Sequence, residues 1–405
     1  MTHVRLILFD DQLARHWAPF TLTRPAGELL FGCLSLRGRA ETVFGLRCEG
    51  HVSRSTLVGF DEPGAAPGLS PDDIGQEGVR VLISSRAVID FQRIEPPIAG
   101  ARIFVDGQAA GWVVPDGAPL PSVAQLRDPG ADADGGARMD LDGYLLGRPW
   151  DLIAKNGERI AADVAHMWAD DSTPAGVVRI GDGIVSLGQD AVIEPGVHID
   201  LRKGPVRLGD GARVEGPARL TGPLFVGRGS TILGGAVGTS SLGAVCVVRG
   251  EVAHSVFLDF VNKAHDGHIG HALLGRWVNL GAFTTNSDLK NNYRPVRVWT
   301  PRGERDTGMI KVGCFVGDHA KSGIGTILNT GTVIGAGSNI FGGSMPPTVV
   351  PPFSWGVGPD LRDHRLDKFL GTAERAMTRR GETLTPGVAR ILRDAWQATA
   401  GRRAE

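Results

Sequence analysis

The stretch LGDGARVEGPARLTGPLFVGRGSTILGGAV (208–237) decides the fold. Aliphatic residues recur in it every six positions, at Leu208, Val214, Leu220, Val226 and Ile232. A helix would repeat about every 3.6 residues and a flat strand about every 2, so neither element accounts for the pattern. A three-sided coil does. Each hexad forms one short strand, its aliphatic points inward, and three hexads close a turn of ~18 residues. Stacked turns bond through their backbones and build continuous inner ladders.

The same spacing runs upstream through Leu187, Ile193 and Ile199 and downstream through Ile310, Val316, Leu328, Ile334 and Ile340, with Ser322 as a miss. Four residues after many of these aliphatics stands a small or β-branched residue, as at Ala212, Ala218, Ser230, Ala236, Ala320 and Thr332. Glycine is expected at corners that need a positive φ. The pattern predicts a left-handed parallel β-helix of the hexapeptide-repeat kind over residues 176–350, with roughly eight coils. It breaks between Thr284 and Met309, where VRVW (296–299) and TPRGER (300–305) predict a projecting hairpin. From 351 to 405 the hexads give way to two helical patterns. The first carries Leu366, Phe369, Leu370, Ala373 and Met377 on one stripe, and the second opens with the Thr385–Pro386 pair.

Residues 1–175 show no hexads. Apolar runs at RLILF (5–9), STLVGF (55–60), VRVLISS (79–85) and ARIFVDG (101–107) predict strands of an α/β domain. PGADADGGARMD (129–140) reads as a loop, and TLTRPAGELL (21–30) as a turn leading into a helix.

Bulk composition narrows the function. The 405 residues carry a formal net charge of −1, which gives no basic surface for nucleic acid or an anionic membrane. The N-terminal apolar run is too short for a signal peptide, and no run approaches a membrane span. Four scattered cysteines, Cys33, Cys48, Cys246 and Cys314, suit a reducing compartment, so a cytoplasmic location is expected.

The densest polar cluster within the repeat lies at 262–293 and holds His265, His268 and His271. Three readings are open for them: a general base, structural residues, or a metal site. Residues six apart fall on adjacent faces of a three-sided coil, which argues against metal ligation within one chain, so no metal is expected there.

This cluster also carries a resemblance. GHALLGRWVNLGAFTTNSDLKNNY (270–293), together with TRPAGEL (23–29), FSWG (353–356) and the Arg379–Arg380 pair, is similar to an alternative bacterial type within the bifunctional UDP-N-acetylglucosamine pyrophosphorylase/glucosamine-1-phosphate N-acetyltransferase family. The resemblance implies acetyl transfer from acetyl-CoA to an amino-sugar 1-phosphate, glucosamine 1-phosphate first, by a homotrimer. It implies His265 as catalytic base and Asn279, Lys263 and Lys290 as substrate contacts. It places Gly281, Ala282 and Ala336 along the acetyl-CoA path. Arg276 and Arg294 are further candidate cations for a sugar phosphate, against the alternative of solvated arginines. Histidine chemistry agrees, since an acceptor ammonium must lose a proton and imidazole takes one near neutral pH.

The first domain resembles a sugar nucleotidyltransferase. It lacks that family's GxG loop, and TLTRP stands in its place. Arg24 is the candidate nucleotide contact and Asp106 the candidate magnesium ligand. Two outcomes stay open: uridylyl transfer from UTP with Mg²⁺, or a degenerate domain. A nucleotidyltransferase whose β-helix serves only assembly or regulation is the alternative for the whole chain, and a non-catalytic, metal-bearing β-helix is a third.

Overall fold

The computed structural model describes residues 3–131, 136–358 and 360–403. The N-terminal domain is built on a seven-stranded mixed sheet, ordered Arg138–Leu141, Ala101–Val105, Gln108–Val114, Val79–Ser84, Val4–Phe9, Cys48–Val52 and Gly68–Leu69. Val4–Phe9 pairs in parallel with both neighbours, whereas Gln108–Val114 runs antiparallel to its own. The expected strands at 5–9, 79–85 and 101–107 are present.

Other expectations for this domain are corrected. STLVGF is not a strand; Ser55–Leu57 is a 3₁₀ turn, and Gly59 takes a φ of 74° that ends any extended run. The neighbouring strand is instead CEGHV, Cys48–Val52. Gly50 is required there because a Cβ would meet the Leu69 side chain at 2.4 Å. TLTRPAGELL forms only two 3₁₀ turns, Phe20–Leu22 and Ala26–Glu28. Of the loop expected at 129–140, residues 132–135 lie outside the described residues, and its end is already the edge strand Arg138–Leu141.

The hexad region is a solenoid of parallel strands, as the expected β-helix requires. One face alone stacks nine strands, from Val185–Leu187 to Val349–Val350. The aliphatics Val214, Leu220, Val226, Ile232, Leu328, Ile334 and Ile340 form its buried interior. The coil length is not uniform. Val206 lies beside Leu224, 18 residues on, but Val185 lies beside Val206, 21 on, and Ser241 beside Val256, 15 on. Gly234 and Gly235, both at positive φ, shorten one hexad. Val237 therefore fills the interior one position earlier than the period of six from Ile232 would place it, and Ala236 is exposed. Ile310 is also corrected: it is 53% exposed, because the chain rejoins the coils only at Phe315–Val316. The predicted hairpin occupies the excursion, with Arg297–Thr300 antiparallel to Gly303–Asp306.

Polar residues also face inward. Ser322, the miss in the hexads, shares a 2.8 Å hydrogen bond with the Thr284 hydroxyl. Lys263 is 2% exposed, and its Nζ donates to the carbonyls of Arg249 (2.7 Å) and His265 (2.6 Å). Burial lowers the Lys263 ammonium to about 8, against 10.5 for a free lysine. The unfolded chain therefore holds a proton that the folded chain gives up between those values, and stability from this group rises with pH across that window. The unfolding free energy of wild type minus that of Lys263→Met is expected to climb between pH 8 and 10, measured by urea denaturation; a flat difference would refute the buried charge.

The corners are not all glycine. Val245, Phe260, Trp277, His319 and Phe353 take left-handed φ of 57–63°. Each costs ~1–2 kcal/mol. Phe260 and Trp277 stack at 4.0 Å and 9°, an arrangement worth about 0.5–1.5 kcal/mol that offsets part of that cost. The helix Leu366–Thr378 covers this aromatic edge, with Met377 buried against Phe260 and Trp277. The second helix, Pro386–Ala398, is capped by the Thr385 hydroxyl, which accepts from Val388 N. Ile391 of that helix packs on Leu57 and Phe60, so the C-terminal segment ties both domains together. A shared apolar cluster also joins Trp17, Phe20 and Phe31 to Leu258, Val296 and Phe315.

Candidate functional site

His265 sits in the turn that follows the strand Asn262–Lys263, and it is exposed. Asn262 and Asn279 occupy paired positions on successive coils, and Asn262 Nδ2 donates to Asn279 Oδ1 at 2.8 Å. Lys321 stands next in the same column. Asn262, Asn279 and Lys321 thus stand in one column of the solenoid wall, and His265 lies at the bend that ends the Asn262 strand.

The other candidates are placed differently. The Lys263 ammonium is turned inside the coil. Lys290 Nζ donates to the Pro295 carbonyl at 2.7 Å. Arg294 is exposed on the excursion. Gly281 N donates to Ser322 O, and a Cβ on Gly281 would lie 2.5 Å from the Gly323 backbone, so the coils meet closely there. Ala282 accepts from Gly325 N, and Phe283 beside it is 63% exposed at a φ of 62°. Ala336 is fully buried and offers no surface to a cosubstrate within the single chain.

Arg24 and Arg276 are taken up by a network that sequence reading did not find. Arg24 Nε donates to Asp318 Oδ2 and its Nη1 to Glu62 Oε2, both at 2.8 Å. Arg276 pairs with the same Glu62 carboxylate. Thr23 Oγ1 donates to Asp318 at 2.7 Å, and Asp318 Oδ1 accepts from Arg276 N. Burial would raise the Glu62 carboxyl, but Arg24 and Arg276 outweigh it and hold it at about 2. Arg24 is 2% exposed, so it faces the solenoid and not a nucleotide site. A doubly wound domain binds nucleotide beyond the carboxyl ends of its strands. Here Asp10 and Asp11 follow Val4–Phe9, and both are buried: Asp10 accepts from Ser53 and Ala26 N, and Asp11 from Arg86.

Asp106 lies exposed in the turn between Ala101–Val105 and Gln108–Val114, at a φ of 49°. Among the described residues no group of three His, Cys, Asp or Glu side chains is placed to hold a metal ion.

A second histidine cluster was also missed as a unit. His271 Nδ1 lies 2.7 Å from Asp288 Oδ2, His254 stacks on His271 at 4.6 Å, and His268 approaches Glu251 at 3.3 Å. Asp288 and Glu251 raise the His268 imidazole, whereas burial and His271 lower His254 to about 4. Asp288 is held well below the carboxylate range by His268 and His271. The coil stacking that brings residues 254 and 271 together varies in length, so their register is not legible from the hexads. His265 stands outside this group. Protonating His254 should work against folding: between its ordinary value of 6.5 and about 4, stability from this group falls as pH falls. His254→Asn is expected to flatten the thermal midpoint over that interval, read by scanning calorimetry; an unchanged slope would contradict the assignment.

Fold and site together define a class: a nucleotidyltransferase-type α/β domain joined to a hexapeptide-type β-solenoid. Residues 6–171 match the family model for a sugar nucleotidyl transferase. The chain is 30% identical over 210 residues to a bifunctional sugar-1-phosphate nucleotidylyltransferase/acetyltransferase of Sulfurisphaera tokodaii, covering 51% of this chain and 47% of that one. It is 28% identical over 190 residues to the bifunctional protein GlmU of Synechococcus elongatus, covering 42% of this chain and 37% of the relative. The chain thus spans about half, or less, of the length of these relatives. A solved UDP-N-acetylglucosamine acyltransferase from Campylobacter jejuni aligns at 15% identity and a TM-score of 0.30, over 54% of this chain and 94% of that one.

Proposed function

We propose that this chain transfers the acetyl group of acetyl-CoA to the amine of an amino-sugar 1-phosphate, with glucosamine 1-phosphate as the first candidate. The observation that carries this reading is the exposed His265 imidazole at the bend that follows Asn262, whose amide bonds to Asn279 on the next coil. The similarity to bifunctional nucleotidylyltransferase/acetyltransferases supports it. His265 takes a proton from the attacking amine. The C–N bond forms, the C–S bond of the thioester breaks, and the proton passes to the departing CoA sulfur. Asn279 orients the sugar. Ala282, at the coil corner, borders the path of the thioester.

Uridylyl transfer by the first domain is the weaker part of the reading, because Arg24 and the ends of the strands are occupied by the chain's own side chains. We further propose a homotrimer in the cytoplasm, in keeping with four buried free cysteines. Among the described residues no helix is long and apolar enough to cross a membrane.

Incubation with acetyl-CoA and glucosamine 1-phosphate, with and without UTP, is expected to release free thiol in both cases. No release across a panel of amino sugars and their phosphates would overturn the proposal.

A further inference from the structure

A recess opens where the helix Leu366–Thr378 ends above the aromatic edge of the solenoid. Its polar lining is Asn262, Asn279, Lys321, Arg379 and Arg380, and no carboxylate lines it. Arg24, Arg39, Arg86 and Arg276, buried elsewhere in the chain, each lie against Asp or Glu. Lys321 and Arg379 make no side-chain ion pair or hydrogen bond among the described residues, whereas Arg380 makes only two long ones, at 3.4 Å, to Val245 O and Asn262 Oδ1. Burial alone lowers the Lys321 ammonium, with no opposing charge to restore it.

Two further donors face the same question. Trp277 lines the recess and is 4% exposed, and its buried indole N–H has no partner. Because Asn279 Oδ1 is already engaged by Asn262, the Asn279 amide group has its N–H bonds to give. Buried donors without acceptors are rare and call for an explanation. Three cations and two neutral donors converging on a space lined by no carboxylate have one simple complement, a multiply charged oxyanion.

We infer that this recess binds the phosphate of a phosphomonoester, held by Lys321, Arg379 and Arg380. His265 follows the recess-lining Asn262 by three residues along the chain. The identity of the monoester rests on the acyl-transfer reading, which supplies two sources: the 1-phosphate of an amino sugar and the 3′-phosphate of CoA. A dianion fits either way, and only the partner molecule differs.

Calorimetric titration of the full chain separates these cases. Inorganic phosphate is expected to bind wild type with an affinity that falls with salt, and Arg379→Gln/Arg380→Gln to weaken it about tenfold or more. Both substitutions lie at the surface end of the helix, and Lys321→Gln is a third, independent test. Glucosamine 1-phosphate affected by the variants while glucosamine is not identifies the sugar phosphate. Acetyl-CoA affected while its 3′-dephospho form is not identifies CoA. Inorganic phosphate and both phosphomonoesters binding the variants as tightly as wild type would overturn the inference. Phosphate binding that is lost in the variants, in a protein releasing no thiol, would keep the recess and refute only the acyl-transfer reading.

Discussion

Asp318→Asn is expected to cost about 3–5 kcal/mol of unfolding free energy, the cost of removing one member of a buried charged network. The four charges Arg24, Arg276, Glu62 and Asp318 balance, and each is no more than 9% exposed. Without Asp318, two guanidiniums remain on the single Glu62 carboxylate, and Thr23 Oγ1 and Arg276 N lose a charged acceptor. Arg24→Met leaves the opposite imbalance. The double variant Arg24→Met/Asp318→Asn restores neutrality through the Glu62–Arg276 pair, so its loss should fall short of the sum of the single losses by at least ~1 kcal/mol. Urea denaturation of all four proteins measures the cycle, and strict additivity would mean that the residues do not act together. The pH dependence has a fixed sign. Glu62 is depressed to about 2 from 4.5, so its contribution is complete above 4.5 and is lost as pH falls toward 2. Because Arg24 and Glu62 belong to the first domain and Asp318 and Arg276 to the solenoid, acid should loosen the contact between them first.

That network shows where sequence reading stops. The solenoid was legible because each hexad repeats one local physical demand, an aliphatic facing inward, and Leu208 to Ile232 display it without interruption. Its register was less so. A one-residue shortening at Gly234–Gly235 and an added stretch before Val206 change which residues stack, and the hexad count does not report either. The strand Cys48–Val52 was invisible because its Glu49, Gly50 and His51 suit one particular close approach to the Leu69 side chain rather than a hydrophobic pattern. Among candidate site residues, the cluster at 262–293 with its histidines stood out as polar residues interrupting an aliphatic repeat, whereas the roles given to His265 and Asn279 came from the resemblance. Arg24 was singled out, but its partner Asp318 lies 294 positions away, and no local signal connects them. Lys321 was missed for the opposite reason: a lone lysine on a solenoid wall looks solvated until the C-terminal helix is seen to cover it.

His265→Ala is expected to lower kcat for acetyl transfer to glucosamine 1-phosphate by about 10²–10⁴-fold, the range for loss of a positioned general base. KM should change little, because the imidazole acts on the proton rather than on the ground-state grip of the sugar. Folding should be unaffected: the side chain is exposed, and it is the His265 backbone carbonyl, retained in alanine, that accepts from Lys263. The competing base is His271, which has the orienting carboxylate that His265 lacks among the described residues. His271→Ala separates the two. If His265 is the base, the His271 variant loses stability through Asp288 and the His254 stack but keeps a folded-fraction kcat within a few-fold of wild type. If His271→Ala abolishes turnover and His265→Ala does not, proton removal belongs to the His271–Asp288 pair and the assignment moves one coil edge away. The acid limb of the kcat/KM profile gives an independent reading, since a histidine base loses activity as it protonates, and that limb should vanish from the residual rate of the His265 variant.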